Sequence, residues 1–382
     1  MIGFQPSDEQ RELQRLAHEF AARELRPIAG EWDEREDFPP ELLAEAARAG
    51  LTSYAIPAEY GGGGVDAVAS ALVAEELSWG CAALAATLQA TMFPVRPLLR
   101  AGTAEQKDRY LGRLASADGI LAAIGFTEPH AGTDLAAMRA SARREGGEYV
   151  LNGEKCYLTN GGIAELTLVF AKVDDRVSAF LVERGDPGVS AGRKETKLGL
   201  RASYTGSLVL ADARVPADRL VGEEGQGWEL AFDFFEASRP QVAAAAVGLA
   251  RAAFEHAAAY ATERQAFGRP LVARQGVSFK LADMGMEIEA ARLLVWRACE
   301  AVDRGDDASL LGSYAKAYAA DVAMRVTTEA VQVLGGAGVM RDHPVEKWFR
   351  DAKVFQIVEG TSEIQREIAA RRIATFADRT HG

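Results

Sequence analysis

Tyr149-Val-Leu-Asn-Gly-Glu-Lys-Cys-Tyr-Leu-Thr-Asn-Gly-Gly162 is the stretch where the chain stops reading as helix. An apolar run, Tyr149-Val-Leu151, meets Asn152-Gly153, and the segment closes on Asn160-Gly161-Gly162; both are turn signals that flank strands. Residues 166–171, 179–182 and 207–210 repeat the pattern as short apolar or alternating runs, with Asp186-Pro187-Gly188 as a further turn. Together they predict an antiparallel β region over residues 120–215. No βαβ alternation appears in it, which argues against a doubly wound dinucleotide-binding domain.

On both sides the apolar period is helical. Ser7-Asp-Glu-Gln10 has the spacing of a capping box, and Leu13, Leu16, Ala17 and Phe20 then fall on one face. Pro39-Pro40 begins a helix over 42–49, residues 67–88 form an Ala-rich one, and Thr103-Ala-Glu-Gln106 caps another that reaches Leu114. The glycine run at 61–64 lacks the Lys-Ser/Thr pair of a phosphate loop and reads as a plain loop. After Gly227, long amphipathic segments at 228–264, 272–304, 308–334 and 344–357, joined by short links, have the pattern of a bundle. The predicted fold is mainly α with a central antiparallel β domain: an N-terminal α-helical domain (1–119), a β-barrel-like middle domain (120–222) and a C-terminal four-helix bundle (223–382).

The 382 residues carry 55 acidic against 43 basic side chains, a net charge of −12, so the clustered positive charge of a nucleic-acid binder is not expected. Cys81, Cys156 and Cys299 are far apart and odd in number, which predicts neither a disulfide framework nor a metal cluster and fits a reducing, cytoplasmic setting. The first residues lack the basic and apolar regions of a signal peptide. Residues 77–95 are uncharged and nearly long enough to span a bilayer, but their Ala, Thr, Ser and Gly content, with Gln89 and Pro94, predicts a buried helix and no membrane span.

Several stretches could carry chemistry. Gly125-Phe-Thr-Glu-Pro-His-Ala-Gly-Thr-Asp134 offers the Thr127 and Thr133 hydroxyls with exposed backbone N–H groups, a loop suited to a pyrophosphate or a flavin edge as well as to a plain turn. Tyr157 and Thr159, two apart on a strand, point to one face. Arg264 and Phe267 stand at a helix end, with Gln275 about two turns further on. Gln332-Val-Leu-Gly-Gly-Ala-Gly338 ends another helix in more glycines than a C-cap needs, so a ligand could approach the backbone. Glu359-Gly360-Thr361 links an apolar stripe (Trp348, Phe349, Ala352, Phe355, Ile357) to a restart at Ser362 with Gln365 three positions on, the spacing of a capping box. Flanked by Ile357 and Val358, this carboxylate could be held away from water and tuned into a base; capping and the helix dipole also favour an acidic residue there.

Together with Phe235-Glu-Ala-Ser-Arg-Pro240, these motifs stand in an order that resembles the acyl-CoA dehydrogenase family of flavoproteins, closest to its straight-chain, medium-chain-like members, over residues 7–373. The resemblance implies a non-covalent FAD between β domain and bundle, contacted by Phe126, Thr127, Gly132, Thr133, Tyr157 and Thr159, with Thr361 and Glu363 on its ADP portion. Arg264, Phe267, Gln275, Gln332, Gly335 and Gly336 would reach the FAD of a neighbouring subunit in a homotetramer. Acyl-CoA would run past Glu236 and Arg239, with Thr133 and Gly360 beside it, and Glu359 matches the catalytic base. The family's alternative base position is held here by Ser238, a hydroxyl that cannot serve. Val358 stands where Tyr is common, Ile124 where an aromatic is frequent and His130 where Gly is frequent. The implied reaction is α,β-dehydrogenation of an acyl-CoA in fatty acid β-oxidation, with an electron-transfer flavoprotein as acceptor. An acyl-CoA oxidase, a dehydrogenase of carrier-protein thioesters and a non-catalytic nucleotide-binding scaffold are the alternatives.

Overall fold

The computed structural model describes residues 5–380, with side chains to residue 374. Six helices come first: α1 (Asp8–Phe20), prolonged by a π-helical turn at Ala21–Leu25, α2 (Ala29–Arg35), α3 (Pro40–Arg48), α4 (Ala67–Ala90), α5 (Val95–Ala101) and α6 (Ala104–Leu114). Both predicted capping boxes form. The Ser7 hydroxyl accepts from the Gln10 N–H at 3.1 Å while the Gln10 amide accepts from the Ser7 N–H at 2.9 Å, and Thr103 with Gln106 repeats this. The Gln106 amide also donates to the carbonyls of Asp218 and Leu220, tying α6 to the end of the β region. The segment Ala67–Ala101 is long and apolar enough to cross a membrane, and 83% of its most apolar window is buried inside the protein. Helical geometry fails once inside α4, at Cys81 (φ −160°, ψ 110°).

The sheet contains β1 (Ala122–Gly125), β2 (Ser141–Glu145), β3 (Glu148–Thr159), β4 (Leu166–Val173), β5 (Arg176–Glu183), β6 (Val189–Lys194), β7 (Thr205–Pro216) and β8 (Leu220–Val221). Its order is β6-β7-β3-β2-β4-β5-β8, with β1 beside β4. Pairing is antiparallel except at β4, where β1 runs parallel to it with Ala122 opposite Leu166, and β2 adds a single parallel bridge. Asn152-Gly153 is no turn: β3 passes through it as a bulge against β7. Gly153 adopts φ +145°, and a Cβ there would lie 2.9 Å from the Ala140 Cα, so glycine lets the loop before β2 cross the strand. Asn152 and Asp212 exchange hydrogen bonds across the bulge at 2.9 and 3.0 Å.

After the sheet come α7 (Gly227–Glu263), a hairpin of β9 (Gln265–Ala266) and β10 (Arg269–Pro270), α8 (Gln275–Asp303), α9 (Ser309–Leu334), α10 (Val345–Phe355) and α11 (Ser362–Thr380). At 37 residues α7 is about 55 Å long. Gln241 reaches Cys299, and Lys280 pairs with Glu329, so α8 runs against both α7 and α9. The ends of α7 and α9 and the start of α8 therefore share one end of the bundle. The N-terminal helices do not keep a core of their own: Leu77 and Leu88 of α4 sit in one cluster with Val247 of α7, Ile288 of α8, Val326 of α9 and Trp348 of α10. A second cluster joins Leu98, Leu111, Phe126 and Phe170 to Leu230 and Phe234 on the first turns of α7. α7 is the element common to both cores.

Candidate active site

Glu359 lies on the link between α10 and α11, in left-handed geometry at φ +54°, and Gly360 follows at φ +90°. Two such residues in succession turn the chain sharply back on itself. The turn is clamped from both sides. The Ser362 N–H donates to the Gln356 carbonyl at 2.9 Å, and Gln356, Ser362 and Arg366 all bind the Asp321 carboxylate of α9. The Gln365 amide donates to the carbonyls of Glu359 and Gly360, and buried Lys316 of α9 donates to the Gly360 carbonyl at 2.6 Å. The predicted box of Ser362 and Gln365 does not form. Thr361 caps α11 by accepting from the Ile364 N–H at 3.2 Å, because Ser362 is drawn to Asp321 and Gln365 to the turn.

The carboxylate faces α7. Ser238 donates to Glu359 Oε2 at 3.1 Å, so the hydroxyl at the alternative base position is engaged with the Glu359 carboxylate. An edge of Glu359 remains accessible, yet burial raises its pKa; Ser238, the Arg239 guanidinium and the Lys316 ammonium act in the opposite direction. Ile357 and Val358, expected to shield it, are 55% and 38% exposed, so the desolvation comes from elsewhere around the turn. The Glu359 N–H has no acceptor among the described residues. Arg239 is half-buried, with Nε unpartnered and its guanidinium 5.3 Å from the Phe235 ring centroid; burial lowers its pKa, with Glu359 and Glu236 opposing. Glu236 is raised by burial and then by Asp307. Pro240 has no N–H, so the Glu236 carbonyl lacks its helical partner.

The loop of residues 125–134 leaves β1 and is held by a pair that the motifs did not signal. Lys155, fully buried, donates to Glu128 at 2.7 Å and to the Phe126 carbonyl at 3.1 Å. Glu128 also accepts from the N–H groups of Arg139 and Ala140. Burial pushes the Glu128 carboxyl up, but Lys155 and the two N–H groups outweigh it and hold it below its ordinary range. His130, 3.4 Å from Glu128, joins this cluster. The Phe126 ring is buried against Phe170 and Phe235, so only its backbone can meet a ligand. Thr127 and Thr159 are half-buried and Gly132 and Thr133 exposed. Tyr157 sits at φ +58° in a β3 irregularity that leaves its ring 67% exposed.

A dinucleotide such as FAD needs unobstructed donors, apolar surface for a ring system and cations for its phosphates. Open space surrounds Gly132, the Tyr157 and Ile357 side chains are exposed, and a cleft of about 350 Å3 is lined by Arg325, Lys353 and Arg366 together with Asp321 and Glu363. The residues present fit the group. The remaining predicted contacts stand apart. Arg264 caps α7, Gln275 begins α8, and Gln332, Gly335 and Gly336 end α9, all exposed at the far end of the bundle. From Lys316 to Gln332 along α9 is 16 residues, about 24 Å. Phe267, 95% exposed at φ +52°, tips the hairpin that Arg274 holds through the Ala266 and Phe267 carbonyls. Arg264 and Gln275 are thus separated by a hairpin, not by two turns of helix. These six residues cannot join Glu359 within one chain.

Three family descriptions match in succession: the acyl-CoA dehydrogenase N-terminal domain over residues 7–118, its middle domain over 123–213 and its C-terminal domain over 225–374. An acyl-CoA dehydrogenase of Bacillus subtilis (strain 168) is 42% identical over 371 residues, 96% of this chain and 98% of that one. The butyryl-CoA dehydrogenase from Megasphaera elsdenii superposes with a TM-score of 0.95 at 40% identity, covering 98% of this chain and 100% of the other. A structure described as the electron transferring flavoprotein of Acidaminococcus fermentans contains a chain with a TM-score of 0.95 at 38% identity, covering 97% and 99%. Matches this continuous leave one assignment: the chain belongs to the acyl-CoA dehydrogenase family of FAD-dependent oxidoreductases.

Proposed function

We propose that this acyl-CoA dehydrogenase uses Glu359 as the base that removes the α-proton of the thioester, giving the trans-2-enoyl-CoA. One observation carries the proposal: the Glu359 carboxylate is presented on a clamped turn against α7, where position 238 offers a hydroxyl donor and no second carboxylate. An α-hydrogen beside a thioester is weakly acidic, so its removal needs an aimed base and a polarised carbonyl. Burial moves the Glu359 pKa upward, towards a useful base strength at neutral pH. The unpartnered Glu359 N–H is the chain's own donor for the thioester oxygen. FAD, when bound, supplies the acceptor for the β-hydrogen.

Phe126, Thr127, Gly132, Thr133, Tyr157, Thr159, Thr361 and Glu363 would hold that FAD, and the exposed set at the far bundle end supports a second subunit completing the site, as in a homotetramer. A cavity of about 790 Å3 lined by Arg139, Arg143, Arg144 and Lys172, with Asp174, Asp175 and Glu224, lies between β2, β4 and the residues before α7. We read its four basic side chains as a place for the phosphates of a CoA nucleotide. An electron-transfer flavoprotein as acceptor and a cytoplasmic role in fatty acid β-oxidation complete the proposal. The test is Glu359→Gln: it is expected to stay yellow, yet to reduce its flavin with butyryl-CoA at least roughly 10²–10⁴-fold more slowly. Wild-type bleaching in an anaerobic stopped-flow experiment would sink the assignment.

A further inference from the structure

We infer that Lys316 is a positioning residue for the base: its ammonium, fixed to the Gly360 carbonyl at 2.6 Å, holds the Glu359-Gly360 turn and sets a buried positive charge beside the base. The inference rests on Glu359 being the base.

Lys316 is 1% exposed on α9, and among the described residues it has no carboxylate as a direct ion-pair partner. A buried ammonium whose hydrogen-bond partner is a neutral carbonyl is costly, and an apolar side chain of similar volume would fill the space without that cost. Its placement gives the charge a use. It grips the carbonyl of the residue after the base, where the backbone is left-handed at both positions and most in need of restraint. Its field also reaches the Glu359 carboxylate, which it holds down against burial. Burial in turn pushes the Lys316 pKa down to about 8, opposed by Glu359.

The charged and titratable groups around the pair come from three elements. Arg239 of α7 feels Glu359 and acts on Lys316, and Glu236 favours its cation; Asp321 of α9 and Glu363 of α11 act on Lys316. Arg239 supports the ionised base together with Lys316, whereas Asp321 and Glu363 favour the Lys316 cation. Asp321 is itself held below its ordinary range: burial pushes it up, and Arg366, Gln356 and Ser362 more than offset this. Lys316 is therefore the group on α9 whose charge adds to that of Arg239 at the base.

The test uses the FAD-loaded protein and two readouts across pH: anaerobic flavin reduction by butyryl-CoA, and deuterium uptake at the α-carbon of 3-thiabutyryl-CoA in deuterated water. In the latter compound a thioether sulfur replaces the β-carbon, so exchange reports proton removal without oxidation. Lys316→Met is expected to move the acid limb of both profiles upward by about one pH unit, the scale of a lost neighbouring charge. Lys316→Arg is expected to restore it. If Lys316→Met does not fold, Lys316→Gln takes its place. An unmoved limb, including a rate lowered evenly at all pH values, would overturn the role of Lys316. Glu359→Gln separates the two ideas: its failure to lose exchange and reduction would overturn the base itself, and the Lys316 role with it. Loss of both in that variant, beside an unmoved Lys316→Met limb, overturns Lys316 alone.

Discussion

At the scale of single residues, Glu359 shows why a carboxylate next to a helix start had two readings. Its neighbours in sequence, Ile357 and Val358, are exposed, and what surrounds the carboxylate arrives from α7 and α9, which are 121 and 43 positions away at Ser238 and Lys316. Burial raises its pKa, and a base must be ionised, so flavin reduction should rise with pH through a limb above the ordinary glutamate value of about 4.3. A limb at or below that value, read by stopped flow in excess butyryl-CoA, would contradict the burial. Lys155 makes the complementary case. Lys155→Met leaves Glu128 buried without its cation and should cost about 3–5 kcal/mol in chemical denaturation, with looser retention of FAD. The sequence does not reveal the pair, because a lysine inside a strand reads as a solvated side chain until the partner loop covers it.

Among the elements, helices were the most legible and strand details the least. Long apolar periods placed α7, α8, α9 and α10 within a few residues, whereas β2 and β6, with mostly exposed polar side chains, carried no alternation to detect. Asn152-Gly153 has the composition of a hairpin turn, but the close approach of Ala140 and the continuation of β3 along β7 make it a bulge. The cap of α11 falls at Thr361, one residue before the predicted Ser362. Ser362 is by type at least as good a cap as Thr361, and Asp321 decides between them by taking Ser362. Thr361→Ala should therefore cost about 1 kcal/mol as a lost N-cap, measured by denaturation. Ser362→Ala acts through Asp321 instead, and an equal loss of α11 capping in both variants would contradict the assignment. At the hairpin after α7, Arg264→Ala should lower FAD occupancy after dialysis while leaving the fold intact, through loss of a charge-assisted phosphate contact.

For the whole molecule, acid should be destabilising in a defined window. Arg251 holds Glu76, and Lys155 holds Glu128, below the ordinary carboxylate range although burial pushes each up. With folded pKa values below the unfolded ones, the unfolded state binds more protons between them, so this stability is complete above about pH 4.5 and is lost as pH falls through the folded values. Denaturation midpoints constant from pH 7 to 3 would refute it. The order helical, β, helical, the bundle, and the identity of the motif residues were determined by the sequence alone, because periodicity and turn chemistry act over a few residues. Only the tertiary structure decided that α4 shares a core with the bundle, that Ser238 and Lys316 converge on the Glu359-Gly360 turn, and that six of the residues proposed to meet FAD lie too far along the helices to join Glu359 in their own chain. Those outcomes depend on which distant faces pack together. Burial, partner charges and separation along a rigid helix exist only once that packing is complete.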